Sequence, residues 1–123
     1  MAEADVSIDK SYTVGTRDVF LSLLIGEGQF GTSDVLLDDK QLVRASGPIG
    51  KLLVGNGPDI DGSTLVVRSI VNDVSTQTNR MSVTYRFTGG KSSEEFVAKG
   101  KCDSEGGLLI FEATFTFKKG SST

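Results

Sequence analysis

Polar and apolar residues alternate along the carboxy-terminal half of the chain with a period of two, the spacing that sends successive side chains to opposite faces of a strand. In "RMSVTYRFT", Met81, Val83, Tyr85 and Phe87 fall on one face, and Arg80, Ser82, Thr84, Arg86 and Thr88 on the other. The pattern predicts a half-buried strand. Past the glycine pair Gly89 and Gly90, "EEFVAKGK" sets Phe96 and Ala98 against Val97, Lys99 and Lys101. After the turn-forming "CDSEGG", the run "LLIFEATFTF" gathers Leu109, Phe111, Ala113, Phe115 and Phe117 opposite Leu108, Ile110, Glu112, Thr114 and Thr116. The three runs read as an antiparallel meander.

Earlier segments are less regular. "VFLSLLI" from Val19 and "STLVVRSIV" from Ser63 are apolar or β-branched runs bounded by turn-forming residues, and they predict strands buried over much of both faces. Short strands are expected over residues 6–14 and 51–54. In "SDVLLDDKQLVRA" a helix competes, with Ser33 or Asp34 as cap and Val35, Leu36, Leu42 and Val43 on one face. Leu37 falls off that face. The expected arrangement is therefore a strand ending near Leu37, a turn over residues 38–40 and a short strand over 41–44.

About seven or eight strands result, the range of an all-β, mostly antiparallel β-sandwich with immunoglobulin-like or jelly-roll-like architecture. Its expected core is Met81, Val83, Tyr85, Phe87, Phe96, Leu109, Phe111, Phe115 and Phe117. The chain has no tryptophan and no cysteine pair, so the hallmarks of antibody domains are missing. Its 123 residues suit one domain spanning 1–123, with "KKGSST" (118–123) as a solvated tail.

Charge and composition narrow the partners. A net charge of −3, from 13 basic and 16 acidic residues, provides no basic footprint for nucleic acid. No run approaches the roughly 18 to 20 apolar residues of a membrane span, so no membrane partner is expected. Cys102 is the only cysteine, which forbids an internal disulfide and tilts the expected compartment slightly towards the cytoplasm. The chain has no histidine, which removes the usual serine and cysteine triads and the commonest zinc ligand.

One motif points elsewhere. "LLIGEGQFGTSDVLL" contains G-x-G-x-x-G at Gly26, Gly28 and Gly31. A dinucleotide fold needs those glycines between a strand and a helix, inside alternating strands and helices. The string "IGEGQFG" also resembles the glycine-rich loop of protein kinases, which implies a hairpin over ATP phosphates. That resemblance covers about seven residues, and the H-R-D loop and D-F-G aspartate that a kinase also needs do not occur here. The three glycines are expected to serve positive φ and a bulged hairpin.

Three candidate sites remain. In "GNGPDIDGS", Asn56, Asp59 and Asp61 offer oxygen ligands at a spacing that suits calcium, although the later bidentate glutamate of a full calcium loop is missing. The acidic pairs Asp38 with Asp39, and Glu94 with Glu95, are adjacent in sequence and point apart on a strand, so they fit a turn and a strand start better than an acid–base pair. Finally, Arg80, Arg86, Lys99 and Lys101, with the hydroxyls of Ser82, Thr84, Thr88, Thr114 and Thr116, form a candidate binding face for a protein, a glycan or an anion.

The expected function is a non-catalytic binding or assembly module without a cofactor, working through protein–protein contacts by loops or a sheet edge, with another protein or itself as partner. One alternative is a carbohydrate-binding module, possible calcium included, which an exposed Phe30 or Tyr12 would favour. The other is a small β-barrel enzyme or ligand carrier, which a buried Glu112 would favour; its place on the Thr-rich face predicts exposure instead.

Overall fold

The computed structural model describes residues 4–102 and 106–120. Among these, nine strands and one short helix follow in the order β1 (Val6–Val14), β2 (Asp18–Gly26), β3 (Phe30–Leu37), β4 (Lys40–Ser46), β5 (Ile49–Asn56), α1 (Gly57–Ile60), β6 (Thr64–Asn72), β7 (Arg80–Thr88), β8 (Glu94–Lys101) and β9 (Leu108–Lys119). They form an all-β sandwich of two sheets, ordered β1-β9-β6-β3-β4 and β5-β2-β7-β8. Every pairing is antiparallel except β1 with β9.

Alternation in the sequence becomes inside and outside in the fold. Met81, Val83, Tyr85 and Phe87 of β7, and Phe111, Ala113, Phe115 and Phe117 of β9, are buried between the sheets. Phe96 and Leu109 pack against them, partly buried. The rings of Tyr12, Tyr85, Phe87, Phe96, Phe115 and Phe117 fill one end of this core, with centroid separations from 4.7 Å for Phe87–Phe115 to 6.4 Å for Tyr12–Phe117. Burying each such side chain contributes about 1.5–3 kcal/mol, and edge-to-face contacts add to it. Aromatic side chains, not a ligand cavity, occupy this part of the interior.

Four expectations need correction. β9 is no neighbour of β8: it crosses to the other sheet between β1 and β6, so the carboxy-terminal runs form one hairpin and a crossover. A period of two fixes faces but not which strand pairs with which. β2 and β6 are not buried on both faces, since Leu24 is 56% exposed and Ile70 44% exposed. Lys118 and Lys119, assigned to a tail, belong to β9 and pair with Thr13 and Val14 of β1, while residues 121–123 lie outside the described residues. The glycine motif makes no bulged hairpin, because β2 and β3 lie in different sheets. Glu27 and Gly28, at φ 62° and 71°, make a tight turn that carries the chain from one sheet to the other. Among the three glycines only Gly28 needs positive φ.

The turn expected near residues 38–40 is confirmed. Asp38 and Asp39 both adopt positive φ, the twist that suits a two-residue hairpin between β3 and β4. Asp38 Oδ1 accepts the Thr64 N–H at 3.0 Å, and the Asp38 N–H donates to the Thr64 carbonyl at 2.9 Å. The bond from the Thr64 N–H, with a further one from the Ser63 hydroxyl, holds the Asp38 carboxyl below the usual carboxylate range.

Candidate binding surfaces

The calcium loop resolves into a helix with its own partners. Asn56 precedes α1, Asp59 sits in its first turn and Asp61 follows its end. Asn56 Nδ2 donates to the Thr16 carbonyl and to Asp18 Oδ1, while Asp61 Oδ1 accepts the Lys119 N–H at 2.9 Å. Two of the three candidate ligands thus tie α1 to neighbouring backbone. Among the described residues no group of three or more acidic or cysteine side chains gathers as a metal site.

The basic face does assemble. Pairing of β7 with β8 sets Arg80 opposite Lys101, Ser82 opposite Lys99, and Arg86 opposite Glu95, all on the outer face of the four-stranded sheet. Arg86 is neutralised by a 2.7 Å ion pair with Glu95. Arg80, Lys99 and Lys101 form no ion pair with a described residue. Thr114 and Thr116 belong to the other sheet and leave this face. Leu24, Thr84 and Val97 form one row across it, with Leu53 beside Phe20, whose ring lies 4.4 Å under the Lys51 ammonium.

A polar groove of about 600 Å³ adjoins the basic end of this face, lined by Thr76, Gln77, Thr78, Asn79, Arg80 and Lys101. Gln29, buried just past the glycine turn, holds its loop. Its amide nitrogen donates to the carbonyls of Thr78 and Arg80, and its oxygen accepts from the N–H groups of Val74 and Ser75. Both donors and both lone pairs of the amide are therefore used.

The outer face of the five-stranded sheet carries what the sequence reading missed. Register places Glu112 opposite Arg68, Arg68 opposite Asp34, and Asp34 opposite Arg44. The four side chains make a row of alternating sign across β9, β6, β3 and β4. Arg68 donates to Glu112 at 2.6 Å and Arg44 to Asp34 at 2.6 Å. Glu112 is outward-facing, as expected. Beside the row, towards the glycine turn, Ile70 lies opposite Ile110 and Thr32, and Phe30 and Leu108 flank Asn72. Phe30 is 47% exposed and Leu108 52%. Tyr12 is buried, its hydroxyl donating to the Ser92 carbonyl and accepting the Gly90 N–H.

No protein-family model, no curated protein and no solved structure matches the chain. No helix among the described residues is long and apolar enough to cross a membrane.

Proposed function

We propose that the chain is a non-catalytic assembly module that associates with a second copy of itself through the outer face of the five-stranded sheet. The alternating row Glu112–Arg68–Asp34–Arg44 carries this reading. Pack two copies face to face about a two-fold axis parallel to the strands and passing between β6 and β3, and the row meets its own reverse. Glu112 then faces Arg44 of the second copy, and Arg68 faces Asp34, so every charge meets its opposite. Isologous interfaces need this self-complementarity. The same operation lays Ile70 over Thr32 and Phe30 over Asn72, which covers the exposed apolar end.

Three of the four sheet edges are guarded against strand pairing, which favours a face as the contact. β8 carries Glu94, Glu95, Lys99 and Lys101, β4 carries Lys40 and Arg44, and β5 has two register shifts against β2. Such features block pairing with another strand. The non-catalytic part draws on six carboxylates with structural partners: Asp34, Glu95 and Glu112 pair with arginines, while Asp5, Asp38 and Asp61 accept backbone N–H groups; the buried Asp73, with no partner among the described residues, is the exception.

Amide chemical shifts followed by NMR over a dilution series test the reading. Concentration-dependent shifts are expected at Phe30, Thr32, Arg44, Ile70 and Ile110, and none at Leu24 or Val97; shifts confined to the four-stranded sheet would overturn it. A second reading, carbohydrate binding, draws on Phe30 beside a groove of about 350 Å³ lined by Thr32, Asp34, Arg44, Arg68 and Ile70. An aromatic ring next to charged hydrogen-bonding groups suits a sugar. Oligosaccharide-induced shifts at Phe30 in dilute protein would distinguish it.

A further inference from the structure

We propose that the groove beside Arg80 and Lys101 binds a tetrahedral oxyanion, a phosphate or sulfate group either free or as a small ester. It lies on the other sheet from the proposed dimer face, so the two readings stand or fall separately. Arg80 and Lys101 are direct cross-strand partners, with Lys99 one row along. Like charges directly opposite each other destabilise an antiparallel pair. Elsewhere on the sheet faces, arginines are neutralised in register, by Glu95, Glu112 and Asp34. This row has two cations and no described carboxylate between them, an arrangement that a bound anion would relieve.

Thr76, Gln77, Thr78 and Asn79, which carry hydroxyl and amide groups, line the same groove as the two cations. The Thr78 hydroxyl oxygen already accepts the Arg80 N–H at 3.1 Å, which leaves its proton to donate. The loop is also preorganised. Gln29 fixes the backbone on both sides of the loop through four hydrogen bonds, and the Ser75 hydroxyl accepts the Gln77 N–H. Donors held in place before binding lose less freedom when an anion arrives. A guanidinium, an ammonium and neutral donors lining one groove match in kind the several acceptor oxygens of phosphate or sulfate.

The test is an NMR titration of the full chain with sodium phosphate, sodium sulfate and phenyl phosphate at constant ionic strength, with sodium chloride as control. The expected result is saturable shifts at Thr78, Arg80 and Lys101, weakened roughly tenfold or more in Arg80→Gln and in Lys101→Gln. Lys51→Gln, a cation elsewhere on the same face, is expected to leave the affinity unchanged. Tighter binding of phenyl phosphate identifies an ester as the ligand class, and equal or tighter inorganic binding identifies the free ion. As a second readout, phosphate raises Tm in the parent chain but not in Lys101→Gln, while Lys101→Gln without anion is no less stable than the parent. Shifts that fail to saturate and match those with chloride would overturn the proposal, as would affinity indifferent to both variants.

Discussion

Asp34 and Arg68 face each other in register across β3 and β6, yet each also reaches the other way, Asp34 to Arg44 and Arg68 to Glu112. The result is a chain of charges across four strands instead of isolated pairs. Exposed ion pairs of this kind add little to folding, because water screens the attraction and both side chains lose freedom. The Arg44→Glu variant is therefore expected to stay folded, with its urea midpoint lowered only by the ~0.2–1 kcal/mol that a carboxylate directly opposite Asp34 costs. It would bring the introduced carboxylate up against Glu112 of the second copy, so self-association is expected to disappear. Urea midpoint and gel-filtration volume measured on the same sample check both statements.

Gln29 is the side chain on which both sides of the loop between β6 and β7 converge, and its replacement leaves the Val74 and Ser75 N–H groups without an acceptor. Gln29→Leu is expected to cost about 2–3 kcal/mol, because unsatisfied buried donors carry a desolvation penalty. Hydrogen exchange is expected to accelerate selectively across residues 74–80. Uniform acceleration over the whole chain would show that Gln29 acts through the core instead.

The two tyrosines make a matched contrast. Tyr12 uses its hydroxyl twice, whereas the Tyr85 hydroxyl is buried without a partner among the described residues. Tyr12→Phe is expected to destabilise the fold by about 1–2 kcal/mol and Tyr85→Phe to be neutral or stabilising, as measured by chemical denaturation. Burial raises both phenol pKa values above the ordinary 10.0, with the Gly90 hydrogen bond partly opposing this at Tyr12. A raised folded-state pKa gives stability that is complete below the unfolded value and declines as pH climbs beyond it. Alkaline unfolding is thus expected above about pH 10, with a shallower decline in Tyr85→Phe.

Asp73 is 6% exposed, and neither of its carboxylate oxygens has a hydrogen-bond partner among the described residues. Asp73→Asn is expected to stabilise the protein by about 1 kcal/mol or more, since a neutral amide costs less to bury than an unpaired carboxylate. Thermal unfolding at neutral pH checks the sign; a lower Tm would show that the charge itself is used.

Much of the fold was legible because alternation is a local property. Met81 to Phe87 and Leu109 to Phe117 fall on the faces their spacing predicts, and the Asp38–Asp39 turn follows from residues that tolerate positive φ. Sheet membership was not legible, because nothing in "LLIFEATFTF" says whether β8 or β6 lies beside it. The basic face was readable since Arg80, Lys99 and Lys101 sit on two strands joined by one hairpin. The alternating row was not, because its four members come from four strands whose register the sequence leaves open. The apolar surplus on β2 and β6 was the available clue. Read as burial on both faces, it concealed that Leu24 and Ile70 face outwards.

Sedimentation equilibrium over a wide concentration range, on the parent chain and on Ile70→Asp and Leu24→Asp, tests the central claim most directly. A monomer–dimer equilibrium is expected in the parent and in Leu24→Asp, and a monomer in Ile70→Asp with an unchanged circular dichroism spectrum. A parent chain that stays monomeric throughout, or a dimer lost in Leu24→Asp and kept in Ile70→Asp, would contradict it.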